Sequence, residues 1–259
     1  FNVCTTILLL PFTRQLEWLA KKAISTEDKP SDFAFLDPRL LRTPGVAASE
    51  CASMVNQMGA LAQTSMDLVL TQFLQYTDAR EEEILSNEDK LDIYEDHLGS
   101  YLVQISQHGT SADDMHTISR LLHAIGDFER IGDHVLNLQE SAKELRDKQL
   151  RFSPTAQKEV EVLTRLLRDL MTAALDCFRK DDPVAAQLVE PLEETMDCLT
   201  EEVRNRHIHR LQNGQCTIQL GFVLNDLLNN LERVGDHCSN IALSVIEEQT
   251  DDADSHAYV

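Results

Sequence analysis

Residues that interrupt regular structure are scarce in this chain. Nine glycines and seven prolines are spread over 259 residues, and only 5% of the residues are aromatic. A sandwich of short strands needs frequent turns and aromatic-rich strands, so this scarcity points instead to long helices. Basic residues are also few: 23 Lys and Arg stand against 44 Asp and Glu, a formal charge of −21. Phosphate backbones are held by basic stripes that release counterions, so nucleic acid is excluded as a partner class. Docking on an anionic membrane surface by charge alone is excluded for the same reason. Cations or basic partners are the natural counter-species.

Other absences narrow the chemistry. The six cysteines include no C-x-x-C pair and no secretion signal is visible, which speaks against a disulfide framework or a thiolate zinc site. Reduced, mostly buried thiols are expected. There is no G-x-S-x-G, P-loop, H-E-x-x-H or dinucleotide fingerprint. The uncharged run Phe1–Thr13 falls short of the ~20 residues that span a bilayer. It is followed by Arg14, Trp18, Lys21 and Lys22, the composition of a cytoplasmic membrane edge. Two readings of residues 1–24 therefore stand: the end of a membrane segment, or a short apolar helix.

What is present is helical periodicity. Residues 25–45 hold Pro30, Pro38 and Pro44 and read as an extended linker. From there apolar residues recur at three and four: Met54, Met58 and Leu61, then Leu70, Phe73 and Leu74. A second helix carries Ile84, Leu91, Leu98, Leu102 and Ile105 and closes at His108-Gly109. Ser111 with Asp114 reads as a capping box opening a third. Ser153-Pro154 opens a fourth and Asp182-Pro183 a fifth, which Asn213-Gly214 ends. A sixth runs from about Cys216 to Glu248, and residues 249–259 read as a disordered tail.

The two halves repeat. Glu129–Asn137 and Glu232–Asn240 share Glu, Arg, Gly, Asp, His and Asn at an offset of 103. Upstream, Glu88-x-x-x-Asp92 matches Glu193-x-x-x-Asp197 at an offset of 105. A period near 100 is too long for a solenoid unit and reads as a duplicated three-helix domain. The expected fold is all-α: a bundle over 46–152, a second over 153–248, and a pseudo-twofold between them.

Spacing i, i+4 puts both carboxylates of each motif on one helix face about 6 Å apart, where like charges cost roughly 0.2–0.5 kcal/mol per pair. This occurs four times, at Glu88/Asp92, Glu129/Asp133, Glu193/Asp197 and Glu232/Asp236. Asp96 and Glu201 extend two of the stripes, Asn137 and Asn240 the others. With the second and third helices of each half side by side, the stripes form oxygen-ligand sites for a hard cation. The competing reading is a solvated acidic face, neutralised in part by Arg130 and Arg233. His134 and His237 directly follow the motif aspartates, about 100° round the helix, and are expected to hydrogen-bond between helices. A ferritin-like di-iron oxidase needs Glu-x-x-His, which is absent. Gly132 and Gly235 imply close helix approach or room for a ligand. His207 and His209, two apart, are expected at the surface.

Glu129-Arg-Ile-Gly-Asp-His-x-x-Asn and Glu232-Arg-Val-Gly-Asp-His-x-x-Asn resemble the paired signatures of PhoU domains. Phe35-Leu-Asp-Pro-Arg-Leu-Leu-x-Thr-Pro44, with the apolar run after Phe1-Asn2, resembles the join between the membrane part of a bacterial sodium/phosphate cotransporter and its C-terminal PhoU-like domain. The resemblance implies a non-catalytic regulator of phosphate uptake and homeostasis. It implies attachment at the cytoplasmic face of the inner membrane, with transport itself done by a part these residues do not include. Its implied partners are its own transporter membrane domain or another phosphate-transport component, and a homodimer. It also implies metal, either divalent or trivalent (iron, Mn, Mg or Ca), on Glu88, Asp92, Glu129, Asp133, Glu193, Asp197, Glu232 and Asp236. The alternative from a different class is a soluble metal-binding protein or metal-dependent enzyme working through the same stripes.

Overall fold

The computed structural model describes residues 36–108 and 111–256, with side chains described as far as residue 246. The apolar run, residues 25–35 of the linker and Gly109 lie outside the described residues. Among those described there is no strand, and no helix is long and apolar enough to cross a membrane.

Six long helices carry the fold, and local chemistry sets most of their ends. Helix α1 (Pro44–Gln72) starts on a first-turn proline. It buries Cys51, Met54, Val55, Met58, Ala62, Met66 and Leu70; of the expected stripe Met54, Met58 and Leu70 are buried, Leu61 and Phe73 are half-buried, and Leu74, past the helix end, is exposed. Helix α2 (Asp78–Ser106) follows an N-cap at Thr77. Helix α3 (Ala112–Asp147) opens with the expected capping box: Ser111 Oγ accepts from Asp114 N, and the Asp114 carboxylate accepts from Ser111 N. Helix α4 (Pro154–Lys180) begins at Ser153, whose hydroxyl accepts from Ala156 N. Such caps contribute about 1 kcal/mol each.

The fifth expected helix divides. Asp182 caps a single turn, α5 (Pro183–Ala186), and the long helix α6 starts only at Val189 and runs to Gln212. Proline at 191 is the reason. Unbroken helix from 183 would need a bond from residue 191 to the Gln187 carbonyl, and proline has no N–H to give. Restarting at Val189 places Pro191 in the first turn, where no such bond is required. Gly214 ends the helix as expected, at φ +67°, with Gln215 N donating to the Arg210 carbonyl at 2.9 Å.

Two further boundaries differ from expectation. Residues 38–42, read as extended linker, coil into a 3₁₀ turn because Asp37 caps it and Pro38 suits its first position. Helix α7 (Ile218–His256) continues past residue 248, and no Gly or Pro follows Gly235 to stop it.

Helices α1–α3 pack as one three-helix bundle and α4, α6 and α7 as the other, within one compact unit. The bundles join along two seams, each between repeat-related helices, α1 against α4 and, more extensively, α3 against α7. Phe128, 1% exposed, meets Phe178 edge-to-face at 5.9 Å across the α3–α4 contact. Full burial of such a ring contributes about 2–3 kcal/mol. The pseudo-twofold shows in reciprocal bonds on the α3–α7 seam. His134 Nδ1 lies 2.9 Å from Asn230 Oδ1, and His237 Nδ1 lies 2.9 Å from Asp127 Oδ1. Residues 127 and 230, like 134 and 237, differ by the repeat offset of 103.

Gly132 belongs to close approach: a Cβ there would sit 2.8 Å from Leu91 Cδ1 of α2. At Gly235 the nearest atoms are at ordinary contact, 3.6–3.9 Å. Three of the described cysteines, Cys51, Cys177 and Cys238, are buried, and burial raises all three thiol pKa values. His209 is exposed as expected, but His207 is buried. Gly221 of α7 makes room for this, because lacking a side chain it lets the imidazole edge approach the neighbouring helix, with Nε2 2.8 Å from where a Cβ would be. Burial and the nearby Arg210 lower the His207 pKa.

Candidate functional site

Each half presents its acidic motifs from two adjacent helices, α2 with α3 and α6 with α7. In the first cluster, burial raises the Glu88 pKa, and Asp92, Asp89 and Asp133 of the facing helix add to it. Glu129 is raised likewise by burial and Asp133, with smaller contributions from Glu95 and Asp92 across the helix gap. The carboxylates therefore feel one another between helices as well as along them. Arg130 lies close by: its Nη1 donates to Asp133 Oδ2 at 3.0 Å and its Nε lies 3.5 Å from Glu129 Oε2. It is 61% exposed, so solvent weakens both pairs.

The second cluster is built alike but compensated differently. Burial and then Asp197 push Glu193 to about 7, with Glu190 and Asp236 contributing. Asp197 is raised by burial, Glu232 and Asp236. Glu232, however, is held from α6: Arg204 Nη2 donates to Oε2 at 2.7 Å and the Thr200 hydroxyl donates to Oε1 at 3.0 Å. Arg233 Nη1 reaches Asp236 Oδ2 at 3.3 Å. Asp197, Asn229, Glu232, Arg233 and Asp236 line a recess of about 440 Å³.

All eight predicted carboxylates thus gather into the two expected clusters. They do not close on an ion: among the described residues, no three His, Cys, Asp or Glu side chains surround a common point. The donor chemistry still suits a hard cation, since each cluster offers carboxylate oxygens from two helices, and burial first and neighbouring carboxylates second raise the pKa of Glu88, Glu129, Glu193 and Asp197. Closure on one ion requires side-chain rotation from the arrangement seen. Asn240 does not extend its stripe; it turns to the seam and donates to Asp127 Oδ1 at 3.4 Å. His134 and His237 bond across helices, as expected, with ring centroids 5.6 Å apart. Burial chiefly lowers the His134 pKa, and His237 adds to that.

Sequence reasoning missed Glu95, Thr200 and Arg204. The offset of 105 would have found them, because it aligns Thr200 with Glu95 and Arg204 with Gly99. The first cluster is the more acidic for that reason.

The PhoU domain family model matches residues 55–142 and again 160–245, one match per bundle. The chain belongs to the PhoU domain family. Each matched segment of this PhoU-domain chain contains one carboxylate cluster. Among curated relatives, it is 23% identical over 199 residues to the phosphate-specific transport system accessory protein PhoU homolog 1 of Thermotoga maritima, covering 76% of this chain and 85% of that one. It is 26% identical over 167 residues to the corresponding homolog of Deinococcus radiodurans, covering 62% and 74%. The crystal structure of PhoU from Pseudomonas aeruginosa superposes with a TM-score of 0.74 at 22% identity, covering 78% of this chain and 97% of that one. The phosphate transport system regulatory protein PhoU from Streptococcus pneumoniae gives 0.72 at 16% identity, covering 81% and 98%. At these identities the structural likeness establishes the fold alone.

Proposed function

We propose that this PhoU-domain chain regulates phosphate uptake as the cytoplasmic, non-catalytic part of a sodium-dependent phosphate transporter. The observation that carries the reading is the family match over both bundles, with one carboxylate cluster in each. The curated relatives, named as accessory proteins of phosphate-specific transport systems, support the phosphate context. The residues before α1 support the sodium/phosphate cotransporter setting through the Phe35–Pro44 sequence. Its partner on this reading is the transporter's membrane part. The direct test is the coding sequence upstream of Phe1. Several apolar spans of about 20 residues support attachment, and an immediate start codon opposes it. Deleting residues 36–259 from the full-length protein should then leave phosphate uptake unresponsive to phosphate supply. Uptake that responds as before defeats the reading.

Metal belongs to the same proposal. Glu88, Asp92, Glu129 and Asp133 hold a hard cation, and Glu193, Asp197, Glu232 and Asp236 form the weaker site because Arg204 already occupies Glu232. When bound, the ion supplies positive charge that ties α2 to α3. The test is Asp133→Asn combined with Asp236→Asn, read by metal content and melting temperature at moderate salt. The parent should hold metal and melt higher with it by mass action, and the variant should do neither. Equal metal in both proteins reduces the motifs to an acidic surface.

A further inference from the structure

One cavity is lined by arginines in a chain that is acidic overall. It measures about 910 Å³ and lies where the ends of α1 and α3 meet the first half of α4, so both bundles contribute. Arg146, Arg151, Arg165 and Arg168 line it, against a single carboxylate, Glu161. In a chain of charge −21 the overall field repels anions, so four guanidinium groups gathered on one cavity are a local concentration of donors, although Asp67, Asp78 and Asp147 beyond the lining pair with two of them.

Two of the four are held in place from outside the lining. Arg146 Nη1 donates to Asp78 at 2.6 Å, its Nε donates to Asp147 at 2.8 Å, and its guanidinium lies 4.1 Å from the centre of the Tyr76 ring. Arg168 Nε donates to Asp67 at 2.6 Å across the α1–α4 seam. Arg165 reaches Glu161 only at 3.5 Å with both groups exposed, a pairing of little worth. Arg151 is exposed and makes no ion pair among the described residues. Donors on Arg151 and Arg165 thus stay available, beside two guanidinium groups already oriented. Apolar side chains lie beneath them: Leu70, Leu145, Phe152 and Val160 line the same space. Gln149 at its edge holds φ 53°, a left-handed conformation that costs a residue with a side chain roughly 1 kcal/mol. The volume is far more than inorganic phosphate fills and falls in the range of small-molecule sites.

We propose that this cleft binds a nucleoside phosphate, its phosphates on the arginines and its base against the apolar floor and Tyr76. Guanidinium forks suit phosphate oxygens, and an apolar floor suits a planar ring. The site is separate from both carboxylate clusters and does not depend on the transport reading.

Calorimetric titration of the full 259-residue chain with ATP, AMP and inorganic phosphate, in chelator at moderate salt, tests it. Chelator removes any metal bridge to the acidic clusters. ATP and AMP should each bind once per chain, and inorganic phosphate at least ~10-fold more weakly, since it lacks the body that fills the floor. Arg165→Gln and Arg168→Gln should each weaken ATP by about 10-fold, the worth of one charge-assisted hydrogen bond. Arg165→Lys should recover part of the loss. Gln157→Trp, an exposed lining position, should block the nucleotides with the melting temperature unchanged. No binding by either nucleotide overturns the proposal. So does nucleotide affinity that these variants leave intact, or inorganic phosphate binding as tightly as AMP.

Discussion

Glycine at position 59 of α1 is a packing requirement, and the structure sets the cost of replacing it. In a helix interior, Gly→Ala alone is worth about 1 kcal/mol of stabilisation. Gly126 of α3 and Gly99 of α2 should gain that amount, because a Cβ at either meets nothing within 4 Å. At Gly59 a Cβ would lie 2.7 Å from Leu175 Cδ2 and 2.7 Å from Phe128 Cζ. Carbon atoms prefer about 3.5–4.0 Å, so both neighbours must retreat by close to 1 Å. Phe128 cannot retreat alone. It abuts Phe178 edge-to-face, and the Arg120 guanidinium lies 5.7 Å from the Phe178 ring centre. Overpacking of this kind costs roughly 1–3 kcal/mol, and two obstructions place it at the upper end. The net expectation for Gly59→Ala is a loss of about 2 kcal/mol, hence a melting temperature lower by about 4–8 °C. Gly126→Ala should instead melt about 2–4 °C higher. Thermal unfolding by far-ultraviolet circular dichroism, with all three variants under one buffer, reads the difference in sign. A Gly59→Ala protein that gains as much as Gly126→Ala would refute the packing argument.

The second cluster and the second bundle offer further tests. Glu193 is raised from 4.5 to about 7, so its charged form is disfavoured by folding. The folded state then holds the proton more tightly than the unfolded one, and stability falls as pH rises between those values. In metal-free buffer, Glu193→Gln should stabilise at pH 8 by about 1–2 kcal/mol, discounted for partial exposure, and do little at pH 4. A pH-independent effect in denaturant titrations contradicts this. Arg210→Met should cost about 3 kcal/mol in the same assay. It strips Glu159, which is 8% exposed at its side chain, of a partner bonded at 3.0 Å through Nη1 and lying 2.8 Å away at Nη2. A loss below ~1 kcal/mol would show that Arg206, 3.7 Å from Glu159, takes over the pairing.

What sequence reading reached was whatever local chemistry or the repeat encoded. Ser111, Ser153 and Gly214 act on atoms a few residues away, so their caps could be placed from composition alone. The duplication placed all eight carboxylates in two clusters, because each motif of the first half recurs in the second, at an offset of 103 or 105. The division at Gln187 was missed since it depends on Pro191, nine residues beyond the cap that announced a helix. His207 was misplaced because its burial is decided by Gly221 on another helix. Arg204 and Thr200 are hidden for a different reason: the repeat marks residues the halves share, and these stand where the halves diverge. The arginine cleft was out of reach altogether. Its four guanidinium groups are ordinary surface residues in sequence and gather only where three helices from both bundles end together.

The crossed histidine bonds bear on assembly. An isologous interface is one in which position i of one subunit touches j of the other, while j touches i in return. Positions 134 and 230 meet in that way, and so do their repeat partners 237 and 127. The α3–α7 seam is therefore a two-subunit interface enclosed in one chain, with its twofold already satisfied. Closed symmetry of this kind leaves no second copy of the surface to recruit another molecule. Any larger assembly must therefore be built from other faces of the chain.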